Sequence, residues 1–235
     1  MAAVTTTAHV RTNTGLTATL EKRVLVWIAE RLPRWINSDH LSALGLFSMA
    51  FAGLSFAAFR VTPWAAAGVI VSLAANWFGD SLDGTLARVR DQQRPRFGFY
   101  VDHVIDLAGT TMLMAGLACS GLMHPLVALA VLAGFLLVSS ESYLATHAVG
   151  VFRMSFLGFG PTELRLLLVA GALRAAQSPW VEPFGAGPFR LFDVGGIVAA
   201  AGLGCVFLIT SARNTRALYI AEPVPVRVAD TRRTA

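Results

Sequence analysis

Six long apolar segments dominate this chain of 235 residues. A membrane-spanning α-helix needs about 20 consecutive apolar residues, and the segments that approach or exceed this length cover residues 41–59, 63–79, 99–122, 125–148, 162–180 and 191–211. Only 14% of the residues are charged, whereas a soluble domain usually has about a quarter. We therefore predict an all-α integral membrane protein with six transmembrane helices.

The distribution of basic residues predicts the orientation of these helices. Sixteen of the nineteen lysine and arginine residues fall in the N-terminal region, the loops after the second and fourth segments, and the C-terminal tail. The other three are Arg60, Arg174 and Arg190. Because cytoplasmic loops are enriched in lysine and arginine, we expect both termini to be cytoplasmic. Basic charge on a membrane protein favours anionic lipid over nucleic acid as a partner, and we expect no nucleic acid.

An amphipathic segment precedes the first apolar one. Leu20, Val24, Ile28 and Leu32 recur every four residues, and charged residues occupy much of the remaining surface. This pattern is typical of a helix in the headgroup plane of a membrane; the alternative is an amphipathic helix packed on a soluble lobe. We predict a disordered tail at 1–16, a juxtamembrane helix within 17–40, a six-helix domain at 41–220 and a disordered basic tail at 221–235.

Four aspartates interrupt the second and third apolar segments in a fixed spacing. Asp80 and Asp83 are three residues apart, and Asp102 and Asp106 are four apart, so in helices each pair projects from one face. Four carboxylates at one membrane edge repel one another unless cations lie between them. Oxygen ligands without cysteine or clustered histidine select hard cations, with Mg²⁺ preferred and Mn²⁺ or Ca²⁺ next. His103 lies about 100° around the helix from Asp102, so we do not expect it to be a ligand.

Other positions around the aspartates suggest a phosphate-bearing substrate. Gly84 and Gly98 leave space on the same helix faces, and Arg88 can make charge-assisted bonds to phosphate. A divalent metal and an arginine near a pyrophosphate are the usual components of phosphoryl transfer. The alternative is that the aspartates cap helices or balance nearby arginines, which would explain one of them but not the full pattern.

This pattern, D-x2-D-G-x2-A-R-x9-G-x3-D-x3-D, resembles the signature of the class I CDP-alcohol phosphatidyltransferase family. An amphipathic helix followed by six spans, with the motif across the second and third, is also that family's architecture. The resemblance implies a membrane transferase of phospholipid biosynthesis that releases CMP from a CDP-alcohol and is active as a homodimer. It further implies two Mg²⁺ or Mn²⁺ ions per site. Matched by position, the implied metal ligands are Asp80, Asp83, Asp102 and Asp106, the implied general base is Asp106, and the implied nucleotide-binding residues are Asp83, Gly84, Ala87, Arg88 and Gly98.

A second polar region brackets the ends of the fourth and fifth segments. Arg153 and Arg165 are candidates for binding a phosphate on the acceptor or the donor. Glu141 lies inside an apolar segment, where a carboxylate is either functional or paired, here with Arg153. The run Gly-Pro-Thr-Glu before Leu164 resembles one in choline and ethanolamine phosphotransferases, although it could simply begin a helix.

Several functions therefore stay open at this point. We favour transfer from CDP-diacylglycerol to the hydroxyl of an acceptor, at the cytoplasmic face of a bacterial inner membrane. The alternative within the family uses a soluble CDP-alcohol and diacylglycerol, so at least one substrate is a lipid in either case. Outside the family, the aspartates could form a cation or proton path of a transporter, or the chain could be an inactive membrane module. We find no inverted repeat, and the carboxylates crowd at one membrane face, which argues against transport.

Overall fold

The computed structural model describes residues 18–149 and 161–224, which form seven α-helices and a β-hairpin whose two strands have two residues each. The hairpin, β1 (Trp180–Val181) with β2 (Phe189–Arg190), joins the last two helices. The helices are α1 (Ala18–Arg31), α2 (Ser38–Ala57), α3 (Ala65–Val89), α4 (Pro95–Ser120), α5 (Pro125–Val149), α6 (Pro161–Gln177) and α7 (Leu191–Ala221). The predicted all-α class is confirmed for this part of the chain. Both predicted tails lie almost wholly outside the described residues.

Five helices in the described part of the chain are long and apolar enough to cross a membrane: α2 with the short 3₁₀ turn that follows it, α3, α4, α5 and α7. The remaining predicted segment forms α6, which has 17 residues and carries Glu163, Arg165 and Arg174. At 1.5 Å per residue such a helix measures about 25 Å, less than the roughly 30 Å of a bilayer core. Six crossings and cytoplasmic termini therefore stay predictions.

Helix boundaries follow local signals in the sequence. The Asn37 side chain caps α2 by accepting a hydrogen bond from the His40 N–H at 3.0 Å, and His40 Nδ1 accepts one from the Asn37 N–H. Pro95 begins α4, and Gly121 ends it with a φ of 73°. The helix α3 continues for ten residues beyond the apolar segment predicted to end at residue 79. The first half of the aspartate motif is therefore the end of this helix rather than a loop.

Glycines allow α2 to pack closely against both α3 and α4. A Cβ on Gly116 would collide with the Gly53 carbonyl, and a Cβ on Gly79 would lie 2.6 Å from the Leu41 carbonyl oxygen. Small residues at such crossings let helix backbones approach each other in membranes. By contrast, α3 and α4 make almost no direct contact, since α2 packs against both. The two helices that carry the aspartates are thus held by a shared neighbour.

The amphipathic helix α1 packs on α3 and is fixed there by an arginine. Leu25 and Ala29 are buried against α3, in a cluster that includes Leu82 and Leu86. Arg90, just after α3, donates hydrogen bonds to the carbonyls of Ile36, Leu32 and Pro33 at 2.5, 2.9 and 3.1 Å. Exposed apolar side chains stay on another face of this region: Val24, Trp27 and Trp35. The helix ends at Arg31, earlier than the periodicity suggested, and its exposed apolar face is compatible with the predicted interfacial position.

Candidate active site

The structure brings the two halves of the aspartate motif into one neighbourhood. Asp83 near the end of α3 interacts electrostatically with Asp80 and also with Asp102 of α4. Asp102 and Asp106 in turn act on Tyr143 of α5. The side chains of Asp80 and Asp102 are 32% and 41% exposed, so solutes can reach them. Asp80, Asp83 and Asp102 are therefore near one another in a partly open region, and Asp106 is connected to them through Tyr143, on which Asp102 also acts.

Two serines of α2 fix the position of Asp83. Ser42 Oγ donates to Asp83 Oδ2 at 2.7 Å, and Ser38 Oγ donates to the Asp83 carbonyl at 2.9 Å. The Gly84 N–H donates to Asp83 Oδ1 at 2.5 Å. Sequence reasoning missed both serines. Their four-residue separation at the start of an apolar helix was the available signal, since it places two hydroxyls on one face.

Asp80 is paired with an arginine from a distant helix. Arg165 Nη2 of α6 donates to Asp80 Oδ2 at 2.7 Å, and Arg165 Nε donates to Asn76 Oδ1 at 2.8 Å. Asn76 is only 6% exposed, and its Nδ2 donates to the Gly45 carbonyl of α2 at 3.0 Å. Asn76 was also missed, although it lies one helical turn before Asp80 on the same face.

On α4 the aspartates flank a buried histidine. His103 lies between the rings of Phe99 and Tyr143, at centroid distances of 4.1 and 5.1 Å. Its Nδ1 is 2.6 Å from the Phe99 carbonyl oxygen but 3.9 Å from Asp102 Oδ2. This placement agrees with the expectation that His103 does not share the ligand face of Asp102. The ring packs between α4 and α5 instead.

The residues expected to contact a nucleotide are exposed or partly exposed. Arg88 is exposed and donates to Thr85 Oγ1 at 3.0 Å, and a Cβ on Gly84 would lie 3.3 Å from Arg88 Nη1. A Cβ on Gly98 would meet no atom within 4 Å. Ala87 is partly buried beside them. Nucleotide binding by these residues stays a prediction.

The potential ligand atoms of the motif are carboxylate oxygens, the type of ligand that a hard divalent cation prefers. Within residues 18–149 and 161–224, however, no group of three or more His, Cys, Asp or Glu side chains is arranged to hold a metal ion. One oxygen of Asp80 accepts a hydrogen bond from Arg165, and both oxygens of Asp83 accept hydrogen bonds. Carboxylates in a cation site normally direct these oxygens at the ion. Cation binding therefore requires the carboxylates to reorient.

The second polar region is described only in part. Arg153 lies outside the described residues, and so does its suggested pairing with Glu141. Glu141 Oε1 accepts a hydrogen bond from Asn214 Nδ2 of α7 at 2.6 Å, which links α5 to α7. Pro161 and Glu163 stand in the first turn of α6, as the helix-start explanation of this run expects. Arg165, expected to contact a phosphate, is engaged with Asp80.

A comparison with known families supports the resemblance seen in the motif. The model of one family, CDP-alcohol phosphatidyltransferase, matches residues 37–208. The chain belongs to the CDP-alcohol phosphatidyltransferase family. The match begins at Asn37, which caps α2, and ends within α7, so it includes all four aspartates but not α1. No curated protein matches the chain.

Membership confirms the resemblance seen in the motif. The family is one of membrane-embedded transferases that use CDP-alcohols, and it points to phosphatidyl transfer in phospholipid biosynthesis. With five helices suited to span a bilayer in the described chain, this CDP-alcohol phosphatidyltransferase family member is a multi-pass membrane protein.

Proposed function

We propose that this protein transfers a phosphatidyl group from CDP-diacylglycerol to the hydroxyl of a second alcohol and releases CMP. The observation that carries this proposal is the meeting of the two motif halves around Asp83, in a chain that belongs to the family. In this reaction the acceptor oxygen forms a bond to the phosphatidyl phosphorus. The bond from that phosphorus to the CMP oxygen breaks, and CMP leaves with the bonding electrons.

Asp106 is the proposed general base, which takes the proton of the acceptor hydroxyl. This role is supported by its position on α4, one turn after Asp102 on the same helix face. A positioned carboxylate base contributes about 10²- to 10⁴-fold to such a step. Gly84, Ala87, Arg88 and Gly98 are the proposed contacts of the CDP group. The short side chains give its phosphates room, and Arg88 provides a charge-assisted bond.

Asp80, Asp83, Asp102 and Asp106 are the proposed ligands of two Mg²⁺ or Mn²⁺ ions. Bound there, such ions would offset the charge of the pyrophosphate and make CMP a better leaving group. The Ser42 and Ser38 hydrogen bonds hold the Asp83 segment in place for this role. Residues that fix a ligand commonly matter almost as much as the ligand.

The surroundings of the motif suit a substrate that enters from lipid. Phe97, Phe99, Tyr100 and Val104 on the first turns of α4 are all exposed and apolar. Phe97 and Phe99 border Gly98, and Val104 lies between Asp102 and Asp106 on the same helix. An acyl-chain substrate approaching from the bilayer would meet an apolar surface beside the carboxylates. We also propose a cytoplasmic active site in a bacterial inner membrane and a homodimer, from the basic loops and the family respectively.

The choline- and ethanolamine-type reaction is the second candidate. The run Gly-Pro-Thr-Glu at residues 160–163 supports it, since this run resembles one in choline and ethanolamine phosphotransferases. In that reaction the donor is a soluble CDP-alcohol, the acceptor is diacylglycerol, and CMP is again released. The two candidates share the chemistry at phosphorus and differ in which substrate is the lipid.

The deciding experiment measures CMP release by the purified protein in lipid nanodiscs with Mg²⁺. CDP-diacylglycerol is supplied with glycerol 3-phosphate, inositol phosphate or serine as separate acceptors, and CDP-choline or CDP-ethanolamine is supplied with diacylglycerol. We expect release with CDP-diacylglycerol and one acceptor, and its loss in Asp83→Asn. Release only with diacylglycerol selects the second candidate. No release with any pair, in protein shown to be folded, would rule out both.

A further inference from the structure

The arginine of α6 neutralises an aspartate that the proposed function assigns to metal binding. Arg165 is 14% exposed at its side chain, and its Nη2 lies 2.7 Å from Asp80 Oδ2. For comparison, the ion pair of Asp39 with Arg94 is about half exposed. The Arg165 pair is thus more enclosed than that one. Partly buried pairs are screened less by salt than exposed ones.

The guanidinium is held in place by a buried amide. Asn76 Oδ1 accepts from Arg165 Nε, while Asn76 Nδ2 donates to the Gly45 carbonyl at 3.0 Å. The bond to Gly45 also fixes which end of the amide faces the arginine, since a flipped amide would place Asn76 Oδ1 against the Gly45 carbonyl oxygen, and both are acceptors. Arg165 therefore bonds α3 at two points one helical turn apart, Asn76 and Asp80. These bonds fix the position of the Arg165 side chain, unlike that of a mobile surface arginine near a charge.

The pair also attaches the first turns of α6 to α3. Leu164, Leu166 and Leu167 are exposed at that end of the helix, whereas Leu168, Ala172 and Ala175 further along it are buried in the main apolar core. The Arg165 bonds to Asp80 and Asn76 are therefore a polar attachment of the start of α6, in addition to the apolar packing of the rest of the helix.

Charge balance sets this pair against a bound cation. Four carboxylates carry four negative charges, which two divalent cations would balance completely. Arg165 would then be an extra positive charge close to the ions. An oxygen that accepts a charge-assisted bond from arginine is also less available as a ligand. Both arguments make arginine and metal competitors for Asp80.

We propose that Arg165 is the built-in counter-cation of Asp80, and that a divalent cation displaces it from that carboxylate. This inference rests on the metal site of the proposed function. The arginine and the metal are then negatively coupled, and coupling between two sites is reciprocal. Removal of the arginine tightens cation binding, and cation binding loosens the attachment of α6 to α3.

The test is Mn²⁺ binding to the purified protein in nanodiscs, measured without substrate by electron paramagnetic resonance of free Mn²⁺. We expect Arg165→Gln to bind Mn²⁺ at least about fivefold more tightly than wild type, the lower end of usual coupling between sites. Arg174→Gln is the matched control, because it removes the same charge from an exposed arginine at the other end of α6, where Arg174 Nη1 donates to the Ser178 carbonyl at 2.7 Å. Its effect should stay below about twofold, since exposed charges are well screened. Unchanged or weaker binding in Arg165→Gln overturns the inference and makes Arg165 a residue that positions Asp80.

Two further variants keep the outcomes distinct. Arg165→Lys retains the charge but cannot bond Asp80 and Asn76 in the same planar geometry, so we expect a smaller tightening even if Arg165→Gln fails to fold. Asp83→Asn tests the metal site itself. Should wild type bind Mn²⁺ no better than this variant, the metal part of the proposed function fails together with the inference. Should wild type bind and both Arg165 variants match it, the inference alone fails.

The second measurement follows α6 directly. In a Cys119→Ala, Cys205→Ala background, the rate of maleimide labelling at Thr162→Cys reports exposure of the first turn of α6. We expect Mn²⁺ to raise this rate about threefold or more in the presence of Arg165, and to change it little in Arg165→Gln, where the attachment is already absent. The same Mn²⁺ effect in both backgrounds would contradict displacement of the arginine.

Discussion

The two halves of the membrane domain are built on different principles. In α2, α3 and α4, between 33% and 39% of each spanning window is buried inside the protein, whereas α5 and α7 bury 11% each. Glycines bring the first three helices into backbone contact, but a Cβ on Gly195, Gly202 or Gly204 of α7 would meet nothing within 4 Å. All four aspartates lie in the tightly packed half. Since catalysis requires fixed geometry, close packing occurs where the proposed chemistry is, and the other half leaves apolar surface for lipid or a partner chain.

The largest effect that would test this contrast comes from one methyl group. Gly116→Ala places a Cβ against the Gly53 carbonyl at the α2–α4 crossing, and backbone atoms there cannot yield. We expect a loss above about 4 kcal/mol, visible as little folded protein in size-exclusion chromatography. Gly202→Ala is the control on α7, where the added methyl is unopposed and the melting temperature should hold or rise. Equal melting temperatures for the two variants would contradict the claim that α2 and α4 are packed more tightly than α7.

The next effect separates chemistry from binding. Asp106→Asn removes the proposed base while keeping the size and shape of the side chain. CMP release should fall about 10³-fold, with binding of the CDP donor within a few-fold of wild type. Asp193→Asn in α7 provides a control, since Asp193 accepts a hydrogen bond from the His124 N–H in the less packed half. Turnover near normal in Asp106→Asn would exclude this residue as the base.

A smaller effect is expected at Ser42, which donates a hydrogen bond to Asp83. Ser42→Ala removes the 2.7 Å hydrogen bond to Asp83 Oδ2, and loss of such a ligand-orienting bond commonly costs about 10- to 100-fold. We expect CMP release near the low end, about tenfold down, and largely restored in Ser42→Thr. Ser72→Ala is the comparison on α3, because that hydroxyl bonds only to Gly68 of its own helix at 2.7 Å. Similar turnover in both alanine variants would show that Ser42 does not position Asp83.

The smallest effect is expected in the loosely packed half. Glu141→Gln keeps an oxygen that can accept from Asn214 Nδ2, so turnover should stay within about threefold of wild type. Glu141→Leu leaves the amide without this partner and should lower stability by about 1–3 kcal/mol in a thermal melt. If Glu141→Gln lost most of its CMP release at normal stability, Glu141 would be a functional carboxylate. The active site would then include α5 as well as α3 and α4.

The sequence was sufficient for the parts of this structure that depend on local pattern. Apolar length predicted the helices, and the i, i+3 and i, i+4 spacings predicted the shared faces of Asp80 with Asp83 and of Asp102 with Asp106. The position of α6 as a span was less predictable, because 17 residues with three charges satisfy neither a membrane helix nor a loop clearly. The apolar segment alone did not define the end of α3, because the helix continues for ten residues beyond residue 79 and includes Asp80 and Asp83.

The partners of the aspartates could not be predicted, because they depend on which helices become neighbours. Ser42 and Asp83 are 41 residues apart, and Arg165 and Asp80 are 85 apart. Asn76 is one polar residue in an apolar stretch, and its role requires Gly45 and Arg165 to arrive from two other helices. Its charge made Arg165 a candidate for binding phosphate. Its ion pair with Asp80 could not be predicted, because it forms only when α6 packs on α3.

The three hydrogen bonds from Arg90 join the amphipathic region to the end of the helix that bears Asp80 and Asp83. If α1 floats at headgroup level, as its exposed Val24 and Trp27 suit it to do, this joint sets how far below the membrane surface the carboxylates sit. A lipid headgroup and a soluble nucleotide occupy different levels of that interface. Arg90 would then couple the depth of α1 in the membrane interface to the depth of the aspartates, so that a bilayer that shifts α1 along the membrane normal would shift the active site with it.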